Sequence, residues 1–187
     1  MANKDSAFGL RPIGKVGQNR DNQGLSEYDI AASATAIFQN DPVEMAATGT
    51  ITVAAATDTL LGSLTGVFFT DASTSKPTFA NHLKASNTAT DIKGFVSDDP
   101  YERFEIQSDD ATAAADVGLN ADIVYASGAS PNFVSKVELD HSDLKTATAQ
   151  LRVLAISKDI ENNEAGSANV NLVVMINEHF LKGTTGI

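Results

Sequence analysis

The sequence predicts an all-β protein: a compact antiparallel β-barrel or sandwich with an extended N-terminal arm and at most one short helix. Three observations carry this expectation. Short runs with period-2 alternation or β-branched enrichment recur from residue 26 onward. Clusters of Gly, Pro, Asn, Asp and Ser separate them every 8–12 residues or so, at about the spacing of sandwich and barrel strands. One stretch, 108–118, has helical character.

Residues 1–25 have no sustained period. Gly9, Pro12, Gly14, Gly17 and Gly24 break any regular element, and the segment cannot bury enough apolar area to order itself. It nevertheless carries Phe8, Leu10, Ile13 and Val16, more apolar residues than a linker needs. The expectation is an arm, 1–25, that orders on contact with a partner, and a β-rich body, 26–187. Removing residues 2–20 should then leave the body folded.

In the body, Tyr28 and Ile30 alternate with polar neighbours. Residues 34–38 read as a strand, 39–42 as a turn into 43–45, and 50–54 as a β-branched strand. Residues 60–64 and 66–69 follow as strands, with Gly49, Gly62 and Gly66 at turns, bulges or close crossings. Residues 70–93 read as a long surface loop with one short strand, a possible subdivision of the body, with Pro77, Phe79 and Leu83 as anchors.

Residues 94–107 read as apolar run, turn, strand. Asp98, Asp99 and Pro100 are turn residues. Phe104 and Ile106 alternate with Arg103, Glu105 and Gln107 as a half-buried strand does. The helix candidate centres on 109–117, with Ser108 or Asp109 as N-cap and Gly118 at the C-terminal left-handed position. Residues 122–125 and 134–139 return to strand. Residues 148–156 and 168–176 are the clearest strands, and a polar loop joins them as an antiparallel pair. The tail from 183 to 187 should fray.

Composition excludes several classes. At 187 residues the chain can bury about 70% of its unfolded surface, in one sizeable core or two small ones. Without Cys there is no disulfide, thiolate metal site or cysteine nucleophile. No apolar run reaches the roughly 18 residues of a membrane helix. The first residues lack a signal-peptide core, so a soluble protein outside the standard secretory route is expected. A net charge of −11 argues against nucleic-acid binding through the body. The arm holds Lys4, Arg11, Lys15 and Arg20 against Asp5 and Asp21. It is therefore mildly basic on an acidic body, which suits docking on an acidic surface.

No constellation announces catalysis. His82, His141 and His179 lie apart without ligand spacing, and His179 reads as an edge or interface residue. No nucleophile elbow or phosphate-binding glycine loop is present. The acids Asp98/Asp99, Asp109/Asp110 and Asp159/Glu161/Glu164 match no calcium loop and are better placed as turn residues. Without Trp, a sugar platform is poor. No enzyme activity, metal or cofactor is expected.

Several stretches together resemble the capsid decoration (cement) proteins of tailed phages, head structural proteins of the marine-phage type. They are 1–12 (MANKDSAFGLRP), 99–107 (DPYERFEIQ), 115–120 (ADVGLN), and the strand pair 151–156 with 170–179. The entry at Asn40-Asp-Pro-Val43 followed by Thr48-Gly-Thr-Ile51 has the same character. The resemblance implies a β-rich body on the outer capsid surface of the virion, assembled in the host cytoplasm. It implies an arm on the major capsid protein and copies clustered about local symmetry axes, for which a trimer is the guess. Phe8, Leu10, Arg11, Ile13 and Lys15 are the candidate interface residues. A tail, neck or fibre-associated phage protein, or a non-viral β-sandwich binding module, remains as an alternative.

Overall fold

The computed structural model describes residues 2–17 and 24–183. Arg20, Asp21 and residues 184–187 of the tail expected to fray (183–187) lie outside them. The fold is all-β and antiparallel, of sandwich type, and does not close into a barrel.

The chain runs β1 (Arg11–Lys15), β2 (Ser26–Asp29), β3 (Pro42–Met45), β4 (Ile51–Val53), β5 (Leu60–Thr70), β6 (Pro77–Ala80), β7 (Lys93–Ser97) and β8 (Glu102–Gln107). It continues through β9 (Asn120–Ala121), β10 (Ile123–Val124), β11 (Glu138–Leu139), β12 (Leu151–Ile156) and β13 (Asn171–Ile176). One sheet has five strands in the order β1-β8-β13-β12-β9. The other has the order β2-β7-β5-β3-β4 with β6 added on β5, and β10–β11 form a small third sheet.

Each large sheet has its own core. Phe104, Ile106, Leu151, Val153, Leu172 and Val174 face inward from the five-stranded sheet and pack on Leu10, Leu60 and the β10–β11 layer. Val43, Ile51, Leu61, Leu64, Val67 and Val96 form the second core with Ile37, Leu83 and Ile92. Strand β5 serves both, because Leu60 enters the first core and Leu61 and Leu64 the second. A bulge between Leu64 and Gly66 keeps its alternation in phase with β7. Gly62 sits where β5 crosses β7. A Cβ there would lie 2.1 Å from the Ser97 carbonyl oxygen, so only glycine fits.

The stretch 94–107 is where the two sheets exchange the chain. Strand β7 belongs to one sheet and β8 to the other, so Asp98-Asp99-Pro100 is a crossover between sheets, not a hairpin. Asp99 Oδ1 accepts the Tyr101 N–H at 2.8 Å, as a turn acid should. Asp98 instead accepts the Tyr28 hydroxyl at 2.6 Å, and burial together with this bond raises the Tyr28 pKa. Phe104 and Ile106 are fully buried, as expected. Glu105 and Gln107, expected on a solvated face, are buried too, because the N-terminal segment and the 157–171 loop cover that side of β8.

Other elements differ from expectation. The 109–117 helix is only a 3₁₀ turn at Ala114–Asp116, and two further 3₁₀ turns occur, at His141–Asp143 and Phe180–Lys182. Its alanines favour helix, but so short a run does not repay nucleation, and long-range bonds take its backbone. Asp109 N–H donates to Leu139 O and Gly118 N–H to Val153 O. Ser108 is bonded to the Thr112 hydroxyl at 2.7 Å and caps nothing. The 34–38 strand reduces to a bridge between Ile37 and Leu83. The 70–93 segment contains the one expected strand, β6, and sends Leu83, Ala89 and Ile92 into the second core. Strands β12 and β13 pair antiparallel as read, Leu151 opposite Ile176, with a bulge at Leu154.

Candidate functional site

The N-terminal segment is built into the body. Gly9 adopts φ +74°, and a Cβ there would meet the Asn40 carbonyl oxygen at 2.3 Å and the Ser135 Cβ at 2.5 Å. That turn drives Leu10 into the first core with no exposed surface. Its N–H donates to Asn40 O at 2.9 Å and its carbonyl accepts from Ser63 Oγ at 2.6 Å. Strand β1 then pairs with β8, Arg11 opposite Glu105, with a bulge between Pro12 and Gly14 that accommodates the proline. Upstream, Gln107 holds the chain from both sides. Its Nε2 donates to Lys4 O at 3.0 Å, and its Oε1 accepts Ser6 N–H at 2.8 Å. Asn162 likewise donates to Lys4 O and accepts Lys4 N–H.

The five candidate interface residues are therefore divided. Leu10 is a core residue and presents nothing to a partner. Lys15 pairs with Asp99 at 2.8 Å with both side chains largely buried, so its charge is spent within the chain. Arg11 pairs with Glu105 and lies over the Phe8 ring, 4.5 Å from its centroid; Glu105 also accepts from Ser157 Oγ. Phe8 is half-buried. Ile13 is 44% exposed, and the Arg11 side chain, though paired, is exposed as well.

Around Ile13 the outer side of the five-stranded sheet forms a shallow groove of about 560 Å³. Ile13, Leu154, Ile156 and Val173 supply its apolar lining, and Arg11, Arg103 and Lys158 its basic groups, beside the acids Glu105 and Asp159. The adjoining cross-strand row runs Arg103–Met175–Arg152, with Arg152 Nε donating to Asn120 Oδ1 at 3.0 Å. Three of the chain's four arginines thus gather on one face of a protein of net charge −11. Sequence reasoning named Arg11 and Ile13 here and missed Arg103, Arg152 and Val173. Alternation within β8, β12 and β13 would have put each on an outward face, but not on the same one.

Among the described residues, no three His, Cys, Asp or Glu side chains are placed to hold a metal ion. His179, expected at an edge, is 2% exposed beside β5. Its Nδ1 accepts the Leu181 N–H, and burial pushes its pKa down to about 4. Asp41 is fully buried, accepts the Phe38 N–H at 2.8 Å, and is pushed up to about 6 by burial. Among the described residues, no helix is long and apolar enough to cross a membrane. Comparison of the chain with protein families, curated proteins and solved structures gives no match.

Proposed function

We propose that the chain is a structural virion protein that decorates and stabilises the outside of a phage capsid, docking on the major capsid protein. The supporting observation is the groove around Ile13, apolar in its lining and carrying Arg11, Arg103 and Lys158 against Glu105 and Asp159, a local excess of basic groups on a protein of net charge −11. Buried apolar and Arg side chains dominate interface energetics, and an excess of basic groups steers an acidic partner. The reading differs in one respect from the resemblance alone. The N-terminal segment does not reach out to the lattice; it is welded to β8 and supplies one wall of a rigid docking face. A pre-ordered face loses less conformational entropy on binding than a free arm does.

The mechanism is mass action. A protein that binds only the assembled, expanded lattice stabilises that state by its binding free energy, about 2.7 kcal/mol at 100 times the dissociation constant. No catalytic step is involved. Ile13→Asp places a charge in the apolar lining of the groove at an exposed position and should leave the fold intact. In co-sedimentation with expanded heads the wild type should pellet, and Ile13→Asp should remain in the supernatant. Equal pelleting of the two would remove the groove from the proposal.

A further inference from the structure

Lys15, Asp99 and Glu102 meet where β1 reaches the crossover between the two sheets. Lys15 and Glu102 are directly opposed across β1 and β8. Opposed side chains of an antiparallel pair share one face of the sheet, with Cβ atoms about 4.5–5.5 Å apart. Asp99 lies in the crossover, and its carbonyl accepts the Glu102 N–H at 2.9 Å, which fixes the two acids in one turn. Just beyond Lys15, Val16 N–H donates to Tyr101 O at 2.7 Å and holds β1 against that turn.

This arrangement differs from a surface ion pair in contact, orientation and burial. Lys15 Nζ lies 2.8 Å from Asp99 Oδ2, and the two side chains are only 11% and 19% exposed, so little water competes for either group. The carboxylate is also oriented. Its other oxygen, Oδ1, accepts the Tyr101 N–H at 2.8 Å, so one oxygen faces the amine and the other a backbone donor. Negative charge developing on Oδ1 would find that donor already in place, as in an oxyanion hole. Glu102 is 4% exposed, and burial raises its pKa despite the nearby Lys15 charge. A carboxyl that resists ionising can carry a proton between neighbouring groups.

We propose that Lys15 and Asp99 condense into an intramolecular isopeptide bond, with Glu102 as the proton carrier. One proton passes from Nζ to Oδ2 along their hydrogen bond, which converts the ion pair into amine and carboxylic acid. The Nζ lone pair then attacks Cγ, and the charge that forms on Oδ1 is met by the Tyr101 N–H. Glu102 gives its proton to Oδ2 and takes one from Nζ, ending unchanged. The Cγ–Oδ2 bond breaks, Oδ2 leaves as water, and Oδ1 becomes the amide carbonyl oxygen. No oxidant or co-reactant is consumed. Glu102 also lines a cavity of about 410 Å³ with Gly14 and Ser97, which receives the water. Free acids and amines do not condense readily in water, but well-oriented groups held in contact reach effective concentrations of about 10⁵–10⁸ M. The bond ties β1 to the crossover and closes the chain from 15 to 99, a covalent brace in a sequence without Cys. The inference does not rest on the capsid reading, and its test uses the free protein.

A lasting ion pair and an amide differ in mass by one water. Intact mass spectrometry of the denatured wild type should therefore read one water below the mass of its sequence. Proteolysis should yield a branched peptide that carries both Lys15 and Asp99. Lys15→Arg keeps the positive charge and the ion pair but lacks the amine, so it should fold and show the full sequence mass. Glu102→Gln keeps the side-chain shape but lacks the proton carrier. Purified at the same time after expression, and shown to be folded by far-UV circular dichroism, it should be mostly unlinked. A wild type at the full sequence mass, a water loss that persists in Lys15→Arg, or a Glu102→Gln protein linked as completely as the wild type would each overturn the proposal.

Discussion

Leu10→Ala tests whether the N-terminal segment belongs to the body. Leu10 has no exposed surface, packs in the first core with Leu60 and Phe104, and is tethered through both its N–H and its carbonyl. Those two backbone bonds survive the substitution, so the main change is loss of the side chain and the cavity left behind. For a fully buried Leu that costs about 2–5 kcal/mol, and the tethered backbone leaves little room for collapse, which favours the upper half of that range. For a domain of this size, about 3 kcal/mol lowers Tm by roughly 6–12 °C. Urea denaturation followed by far-UV circular dichroism reads the effect, with Ile13→Ala as an exposed control expected within about 0.5 kcal/mol of wild type. A Leu10→Ala cost below about 0.5 kcal/mol would show that residues 2–10 are a detached arm in solution and refute the fold description at this point. By the same reasoning, removing residues 2–20 should strongly destabilise the body, contrary to what the sequence suggests.

Three further outcomes follow from the same geometry. Asp41 is held near 6 against an ordinary 3.8, so the stability it contributes is present below pH 3.8 and lost as pH rises through 6. His179 is held near 4 against 6.5, so its contribution is present above pH 6.5 and lost as pH falls through 4. Each spans on the order of 2–3 kcal/mol, with opposite slopes between pH 4 and 6. Relative to wild type, Asp41→Asn should gain stability as pH rises from 4 to 6, and His179→Gln should gain as pH falls from 6.5 to 4. Parallel pH profiles of urea midpoints would contradict both assignments. Gly62→Ala should cost about 1–3 kcal/mol or more, because the Ser97 backbone must move to admit the Cβ. A thermal melt within about 1 °C of wild type would show that the β5–β7 crossing is looser than described.

What the sequence made legible was local. The β-branched and alternating runs at 43–45, 51–53, 151–156 and 171–176 all became strands, because pattern and burial agree there. The partnership of the last two was legible as well, since a single polar loop joins them. What was hidden is non-local. Nothing within 94–107 says that its two strands leave for different sheets. Pro12 and Gly14 disguise β1, since both are poor strand residues and only a bulge against β8 accommodates them. Glu105 and Gln107 look solvated until the segment that covers them is placed. Of the expected anchors of 70–93, Leu83 is buried but Phe79 faces out, and Ile92, not expected, is buried with Leu83. The groove around Ile13 draws on β1, β8 and the β12–β13 pair, which lie far apart in sequence.

The central claim is that this is a capsid-surface structural protein, and copy number on the particle tests it most directly. Quantitative gel analysis of purified virions, with the major capsid protein as internal standard, should give hundreds of copies per particle, as a lattice-wide docking site requires. A dozen copies or fewer would assign the chain to the tail or neck, and its absence from the particle would contradict the account altogether.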